Sequence, residues 1–291
     1  MWDTFRKERA WQIKEFFFTL RLLRQNPSAV AGFLIIALVT LMALAAAFVA
    51  PYDPIRISLG ERLRPPSAAH LFGTDELGRD ILSRVMYGAQ ISLRIGVLVV
   101  LIAGGCGAVL GAISGYLGRR VDNLIMRVMD VILSFPPLVL ALALAAAMGP
   151  SLNNAILAVA FVMIPKFARL VRGEALSVKE KQFITAARAS GAKSLWIILN
   201  HILPNCVSSV IVLSTLILGE TILIAASLSF IGLGAQPPTP EWGAMISVGR
   251  KFLLDQWWYA TFPGLFILVT VIGFNIFGDA LRDILDPRIR R

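Results

Sequence analysis

Charge is what this chain has least of. Aspartate, glutamate, lysine and arginine make up 16% of its 291 residues, against about a quarter in soluble domains. Histidine and cysteine are scarcer still, two of each. His70 and His201 stand apart, and Cys106 and Cys206 have no CxxC or Cys/His neighbours, so a metal-ligand set is missing and the cysteines read as packing residues. No GxxxxGK[ST] run occurs, so the chain cannot cradle ATP phosphates by that loop. Neither a Gly-x-Ser-x-Gly turn nor a paired-carboxylate arrangement offers hydrolytic chemistry, and Asp279 and Asp283, with Arg282 between them, read as a solvated helix cap.

Apolar residues are abundant, at 57%. A helix needs about 20 of them in a row to cross the hydrocarbon of a bilayer. Residues 29–50, 95–117 and 257–278 carry no charge, and 206–228 carries only Glu220. The uncharged run 131–165 is too long for one span and is interrupted by the turn-forming sequence GPSLNN at 149–154, which predicts a hairpin of spans 131–149 and 154–171. The count is six, in an all-α integral membrane protein. The run 29–50 exceeds the core of a cleaved signal and is followed by Pro51, so it is read as a retained span. The net charge of +10 is assigned to loops against anionic headgroups rather than to nucleic acid.

Lysine and arginine fix the expected orientation. Twenty of the 28 fall in 1–28, 118–130, 166–205 and 279–291, and eight in 51–94 and 229–256. Both termini are therefore expected in the cytoplasm. The resulting division is a cytoplasmic segment 1–28, a first span 29–50, an outer loop 51–94, a membrane core 95–280 that includes an inner loop 172–205, and a cytoplasmic tail 281–291.

Within the spans, Gly107, Gly111 and Gly115 repeat every fourth residue and predict a flat strip for close helix packing. Glu220, alone at mid-span, should face a partner or water. It reads either as a pathway or helix–helix contact, or as a structural acid that is hydrogen-bonded or protonated in place. Pro136-Pro137 opens the third span, and Pro165 kinks the fourth near its inner end. In the outer loop, 51–73 reads as irregular. Residues 74–93 read as an interfacial helix, with Leu77, Ile81, Leu82, Val85 and Ala89 on one stripe and Asp80 paired with Arg84. Trp242, Trp257 and Trp258 are expected at headgroup level.

The inner loop carries the sharpest signal. Residues 179–190 suit a helix with Phe183, Ala186, Ala187 and Ser190 near one face, and Gly191 ends it. A second amphipathic helix, 193–203, with Leu195, Ile198, Leu199 and Ile202 apolar, then leads to Pro204. This segment resembles the cytoplasmic EAA loop of ABC-importer permeases, E-A-A-x3-G-x9-I-x-L-P. Ala186, Ala187, Gly191, Leu203 and Pro204 match, while Thr185 stands in place of Glu and His201 in place of Ile. The likeness continues in APYDP (50–54), LFGTDELGRD (71–80), SFIGLG (229–234), PEWG (240–243) and GDALRDILDP (278–287), which are similar to the second, C-type permease of dipeptide, oligopeptide and nickel importers.

The resemblance implies a type I ABC-importer permease fold in the bacterial inner membrane. It also implies a heterodimer with a sister permease, two ATP-binding subunits and an extracytoplasmic solute-binding protein. ATP and Mg would be bound by those partners, with no cofactor in this chain. Thr185, Ala186, Ala187, Gly191, Leu203 and Pro204 are then the ATPase-coupling residues, and Glu220 the intramembrane polar residue. The resemblance implies di- and oligopeptides as cargo, with nickel, metallophores or glutathione as the alternative. An autonomous secondary transporter would call for inverted repeats and charged midplane residues, of which only Glu220 is present.

Overall fold

A computed structural model describes Leu22 and residues 24–285. Most of the segment 1–28, and the tail beyond residue 285, lie outside the described residues. The elements are α1 (Pro27–Val49), α2 (Ile81–Leu117), α3 (Arg119–Leu133), α4 (Pro137–Met148), α5 (Leu152–Lys179), α6 (Gln182–Ala189), α7 (Ser194–Ile231), α8 (Trp242–Gly249) and α9 (Trp258–Leu285). Among the described residues there is no strand. Five helices, α1, α2, α5, α7 and α9, are long and apolar enough to cross a membrane, and the bent pair α3–α4 brings the number to six.

Local chemistry sets the helix ends. Pro27 opens α1 at a position where its missing N–H costs nothing, and the Asn26 side chain accepts from the amides of Ser28 and Ala29. Asp80 caps α2, accepting from the Ser83 amide and hydroxyl, each at 2.7 Å. Gly232, at φ +94°, closes α7: the Leu233 amide reaches the Leu228 carbonyl and the Gly232 amide the Ser229 carbonyl.

The packing centre is the α2–α5 seam. Cβ atoms added at Gly107, Gly111 and Gly115 would lie 2.5 Å from Phe167 Cβ, 2.4 Å from the Ala168 carbonyl oxygen and 2.7 Å from Ala175 Cβ. Only a bare backbone permits that approach, so the predicted glycine strip is a helix contact within this chain. Beside it, Ile95, Val99, Val159, Met163, Ile217 and Leu228 join α2, α5 and α7 in one apolar cluster.

Five expectations change. No separate interfacial helix spans 74–93: residues 74–80 are loop, and 81–93 are the first turns of the 37-residue α2. The stripe Ile81, Val85, Ala89 is buried against α1, α8 and α9 rather than laid on lipid. Asp80 and Arg84 do not pair with each other. Asp80 holds His70 Nδ1 at 2.9 Å, while Arg84 donates to the Pro54 carbonyl at 2.8 Å and lies 3.5 Å from Asp75.

The third span does not run from 131. The chain bends by 92° between Arg119–Leu133 and Pro137–Met148, because Pro136-Pro137 cannot continue a helix. Of Trp242, Trp257 and Trp258, only Trp257 is exposed. Trp242 is fully buried and donates to the Val85 carbonyl at 2.9 Å, and Trp258 is buried beside Thr74. Finally, Pro204 does not mark a boundary between an amphipathic helix and a span. The chain is helical from Ser194 to Ile231. A π-helical stretch, Ile198–Ile202, with the Leu203 amide bonded to the Ile198 carbonyl, widens the turn just before the proline and relieves its clash with the preceding backbone.

The loop between α1 and α2 is built as a cap. Arg79 pairs with Asp75 at 2.6 Å and with Glu76 at 3.3 Å, and the Tyr259 hydroxyl donates to Glu76, tying the loop to α9. Glu241, 1% exposed, accepts from the amides of Gly243 and Ala244 and so caps α8. Burial pushes its carboxyl pKa up, against the pull of those two amides.

Candidate functional site

The candidate site is the elbow between α5 and α7. Lys181 takes an extended conformation after α5 and starts α6 without a side-chain cap. The apolar anchor of the eight-residue helix is Ile184, fully buried among Ala175 and Val178 of α5, Tyr116 of α2 and Ile197 and Ile202 of α7. With Ile184 inward, the helical period turns Phe183, Thr185, Ala186 and Ser190 outward, all exposed, and leaves Ala187 half-buried at the margin.

Gly191 sits at φ +83°, a conformation that costs a side-chain-bearing residue about 1–2 kcal/mol. Its amide bonds the Arg188 carbonyl at 2.9 Å, and the Ala192 amide bonds the Ala187 carbonyl at 3.1 Å. These are the two bonds of a glycine-terminated helix end. They leave an open concavity of about 350 Å³ lined by Ser190, Gly191, Ala192, Lys193 and Trp196.

Trp196 meets His201 edge-on at 5.0 Å, and Phe183 lies 5.6 Å from the same ring. His201, standing where the family pattern has isoleucine, is thus packed between aromatic rings and half-buried. Leu203 is half-buried on the α7 side of the elbow and Pro204 is exposed. Thr185, Ala186, Ala187 and Gly191 therefore share one knuckle, whereas Leu203 and Pro204 lie along α7, past the π-helical turn.

Side-chain pairs brace α5, the strut that carries the elbow. Arg172 grips Asp122 of α3 with two bonds of 2.5 and 2.7 Å, and Ser114 of α2 donates to the same carboxylate at 2.5 Å. Arg169 reaches Asp130 at 2.6 Å. On the other side, Ser209 of α7 donates to Glu174 at 2.5 Å, and Lys166 pairs with Glu220. Glu220 is thus far from the knuckle, but its partner is defined: the Lys166 ammonium donates to both carboxylate oxygens.

Sequence reasoning missed Ile184, Arg188, Tyr116 and Lys166. Ile184 left a signal, as the one branched aliphatic side chain in the polar stretch KEKQFITAARAS. Glu220 was expected to face a partner or water, but its pairing with Lys166 left no signal, the two being 54 residues apart on different helices.

Comparison with known proteins supplies the deciding observation. Residues 107–291 match the family described as binding-protein-dependent transport system inner membrane component, and 18–66 match the N-terminal transmembrane domain of oligopeptide transport permease C. The chain belongs to the binding-protein-dependent inner-membrane permeases. This permease is 53% identical over 268 residues to a probable D,D-dipeptide transport system permease, DdpC, of Escherichia coli K12, covering 92% of this chain and 90% of the relative. It is 47% identical to the dipeptide permease DppC of Alkalihalophilus pseudofirmus, over 92% of this chain and 88% of that one. It is 48% identical to the glutathione permease GsiD of Escherichia coli O6:K15:H31, over 93% and 89%.

In fold, the permease resembles a chain of the MetNI methionine ABC transporter in inward-facing conformations. The TM-score is 0.55 at 17% identity, over 69% of this chain and 95% of that one. The permease has the type I importer fold, and it is a multi-pass protein of the bacterial inner membrane and a C-type peptide-importer permease. Its role is that of a pore component rather than an enzyme.

Proposed function

We propose that this subunit forms half of the translocation pathway for dipeptides and short oligopeptides, and that α6 is the knuckle on which a cytoplasmic ATPase docks. In this reading the other half is a sister permease, two ATP-binding subunits bind ATP and Mg, and a solute-binding protein delivers cargo from the outer side. Both termini lie in the cytoplasm, lipid surrounds the spans, and nucleic acid plays no part. The supporting observation is the shape of the elbow. Ile184 fastens α6 to the three long helices α2, α5 and α7, while Thr185 and Ala186 stand outward with small side chains that another surface can approach closely. A push on α6 is carried through that cluster into α2, α5 and α7, and the Arg172–Asp122 pair holds α3 to the same strut. ATP-driven closure of the partner dimer would bias the two arrangements of the pathway through this contact.

Peptide cargo follows from the dipeptide relatives. The 48% identity to a glutathione permease supports a second reading, in which the same machinery moves that tripeptide. Ala186→Trp tests the docking role. Its side chain points outward, so the permease should insert and pair normally while uptake falls at least tenfold and the ATPase no longer co-purifies. Normal uptake would refute it.

A further inference from the structure

Lys166 and Glu220 sit where a membrane protein has least use for charge. Lys166 is 14 residues into α5 from Leu152, about 21 Å at 1.5 Å per residue, and Glu220 is 11 residues before Ile231, about 16 Å along α7. Measured from those ends, both lie within a hydrocarbon layer of about 30 Å, Glu220 near its middle and Lys166 toward its inner side. The ammonium is 2.7 and 2.5 Å from the two carboxylate oxygens. Yet the pair is not sealed: the side chains are 30% and 38% exposed.

Stability does not explain the pair. α5 and α7 are already joined by Met163, Ile217 and Leu228 in the central cluster and by the Ser209–Glu174 hydrogen bond. An ion pair in such a place is usually no better than apolar residues of the same size. An exposed charge turned to lipid costs about 2.5–3.5 kcal/mol on insertion scales, so the open side of the pair is the water-accessible or protein-facing side. Pro165 directly precedes Lys166 and offers no N–H to the Phe161 carbonyl, which loosens the turn that carries the ammonium.

We propose that this pair is a relay site for a dipolar cargo, a peptide with a free α-ammonium and a free α-carboxylate. The ion pair opens, Glu220 takes the cargo's ammonium and Lys166 its carboxylate, and the pair closes again behind it. Every charge stays partnered throughout. A cargo with a single charge would leave Lys166 or Glu220 unpaired at low dielectric, so the relay favours peptides with both termini free. The inference rests on the peptide-import reading and adds the residues that meet the cargo inside the membrane.

The test uses the whole importer, reconstituted with its partners in vesicles, and dialanine as probe. In a Cys106→Ser, Cys206→Ala background, the thiol introduced by Leu223→Cys, one turn from Glu220 on α7 and exposed, leaves the pair intact and should react with a water-soluble cationic methanethiosulfonate. Dialanine delivered with binding protein and ATP should slow that reaction at least fivefold, and N-acetyl-dialanine amide should not. The apolar double variant Lys166→Met with Glu220→Met keeps the helix contact and should lower dialanine uptake at least tenfold. Uptake within twofold of the parent in the double variant, or a thiol that dialanine does not protect, overturns the relay. If the parent importer itself does not take up dialanine, it is the peptide reading that fails, and the relay fails with it.

Discussion

Arg188 of the elbow lies with its guanidinium carbon 5.0 Å from the centre of the Tyr116 ring and donates from Nε to the Tyr116 hydroxyl at 3.2 Å. Tyr116 is nearly the last residue of α2, and Ile184 packs in the same cluster. The knuckle therefore has two attachments, one apolar and one cationic.

Their separate removal should be unequal. A cation–π contact at an exposed site is worth about 0.5–1 kcal/mol, and a hydrogen bond from an exposed guanidinium that water can replace about 1 kcal/mol. Tyr116→Phe keeps the ring and loses only the hydroxyl, so peptide uptake should stay within about twofold. Arg188→Ala loses both and should lower uptake about fivefold, while Ile184→Ala, at a fully buried site, should cost about 2–5 kcal/mol of local stability and abolish it. Initial uptake rates in vesicles rank the three.

The glycine strip gives a matched pair of substitutions. Gly111→Ala places a methyl group 2.4 Å from the Ala168 carbonyl oxygen, which is backbone and cannot rotate away. It should cost about 1–3 kcal/mol as overpacking and lower the thermal midpoint of the detergent-solubilised importer. Gly105→Ala, nearly two turns nearer the N-terminal end of α2, meets nothing within 4 Å in this chain. It should leave the midpoint unchanged or raise it slightly.

The Arg172 clamp should show the cost of half a pair. Asp122→Ala removes the acceptor of both guanidinium bonds and of the Ser114 hydroxyl. A loss of about 1–3 kcal/mol is expected from the donors left unmet. Asp122→Ala combined with Arg172→Met should recover part of it. A double-mutant cycle on thermal stability with no coupling would contradict the clamp.

Glu241 predicts a pH dependence of definite sign. An unburied glutamate titrates near pH 4.3, and burial raises the folded value above that. The folded state thus holds its proton more tightly than the unfolded chain. The stability from this group is complete below about pH 4 and is lost as pH rises through the raised folded value. Glu241→Gln does not titrate, so the variant should gain on the parent as pH is raised above about 5. Thermal midpoints of the purified importer between pH 4.5 and 8 would show it, and parallel curves would contradict it.

Much of this was legible in the residues because the controlling effects are local. Four charge-free runs and one holding only Glu220 announced the apolar spans, Gly191 announced the positive-φ end of α6, and the Gly107–Gly115 period announced a close helix contact, each decided within a few turns of chain. What the residues concealed is non-local. The stripe Ile81–Val85–Ala89 looks the same whether it rests on lipid or on Trp242 and Met245, which lie some 150 residues away. Asp80 and Arg84 have helix-pair spacing, but the loop between α1 and α2 supplies better partners in His70 and Pro54. Pro204 has the look of a boundary, yet a π-helical turn absorbs it. At the site, Ala186 and Ala187 were readable from spacing, whereas Ile184, Tyr116 and Lys166 gain their roles only from neighbours brought in by folding.

The docking role of α6 is most directly tested by cross-linking from an Ala186→Cys variant, in the Cys106→Ser, Cys206→Ala background, within inner-membrane vesicles that contain the complete importer. The account predicts that a short bifunctional thiol–amine reagent joins this position to the ATP-binding subunit, with the yield changing when ATP is added. Labelling of position 186 only from the outer side, or an absence of any cross-link to the ATPase in an importer that transports normally, would contradict it.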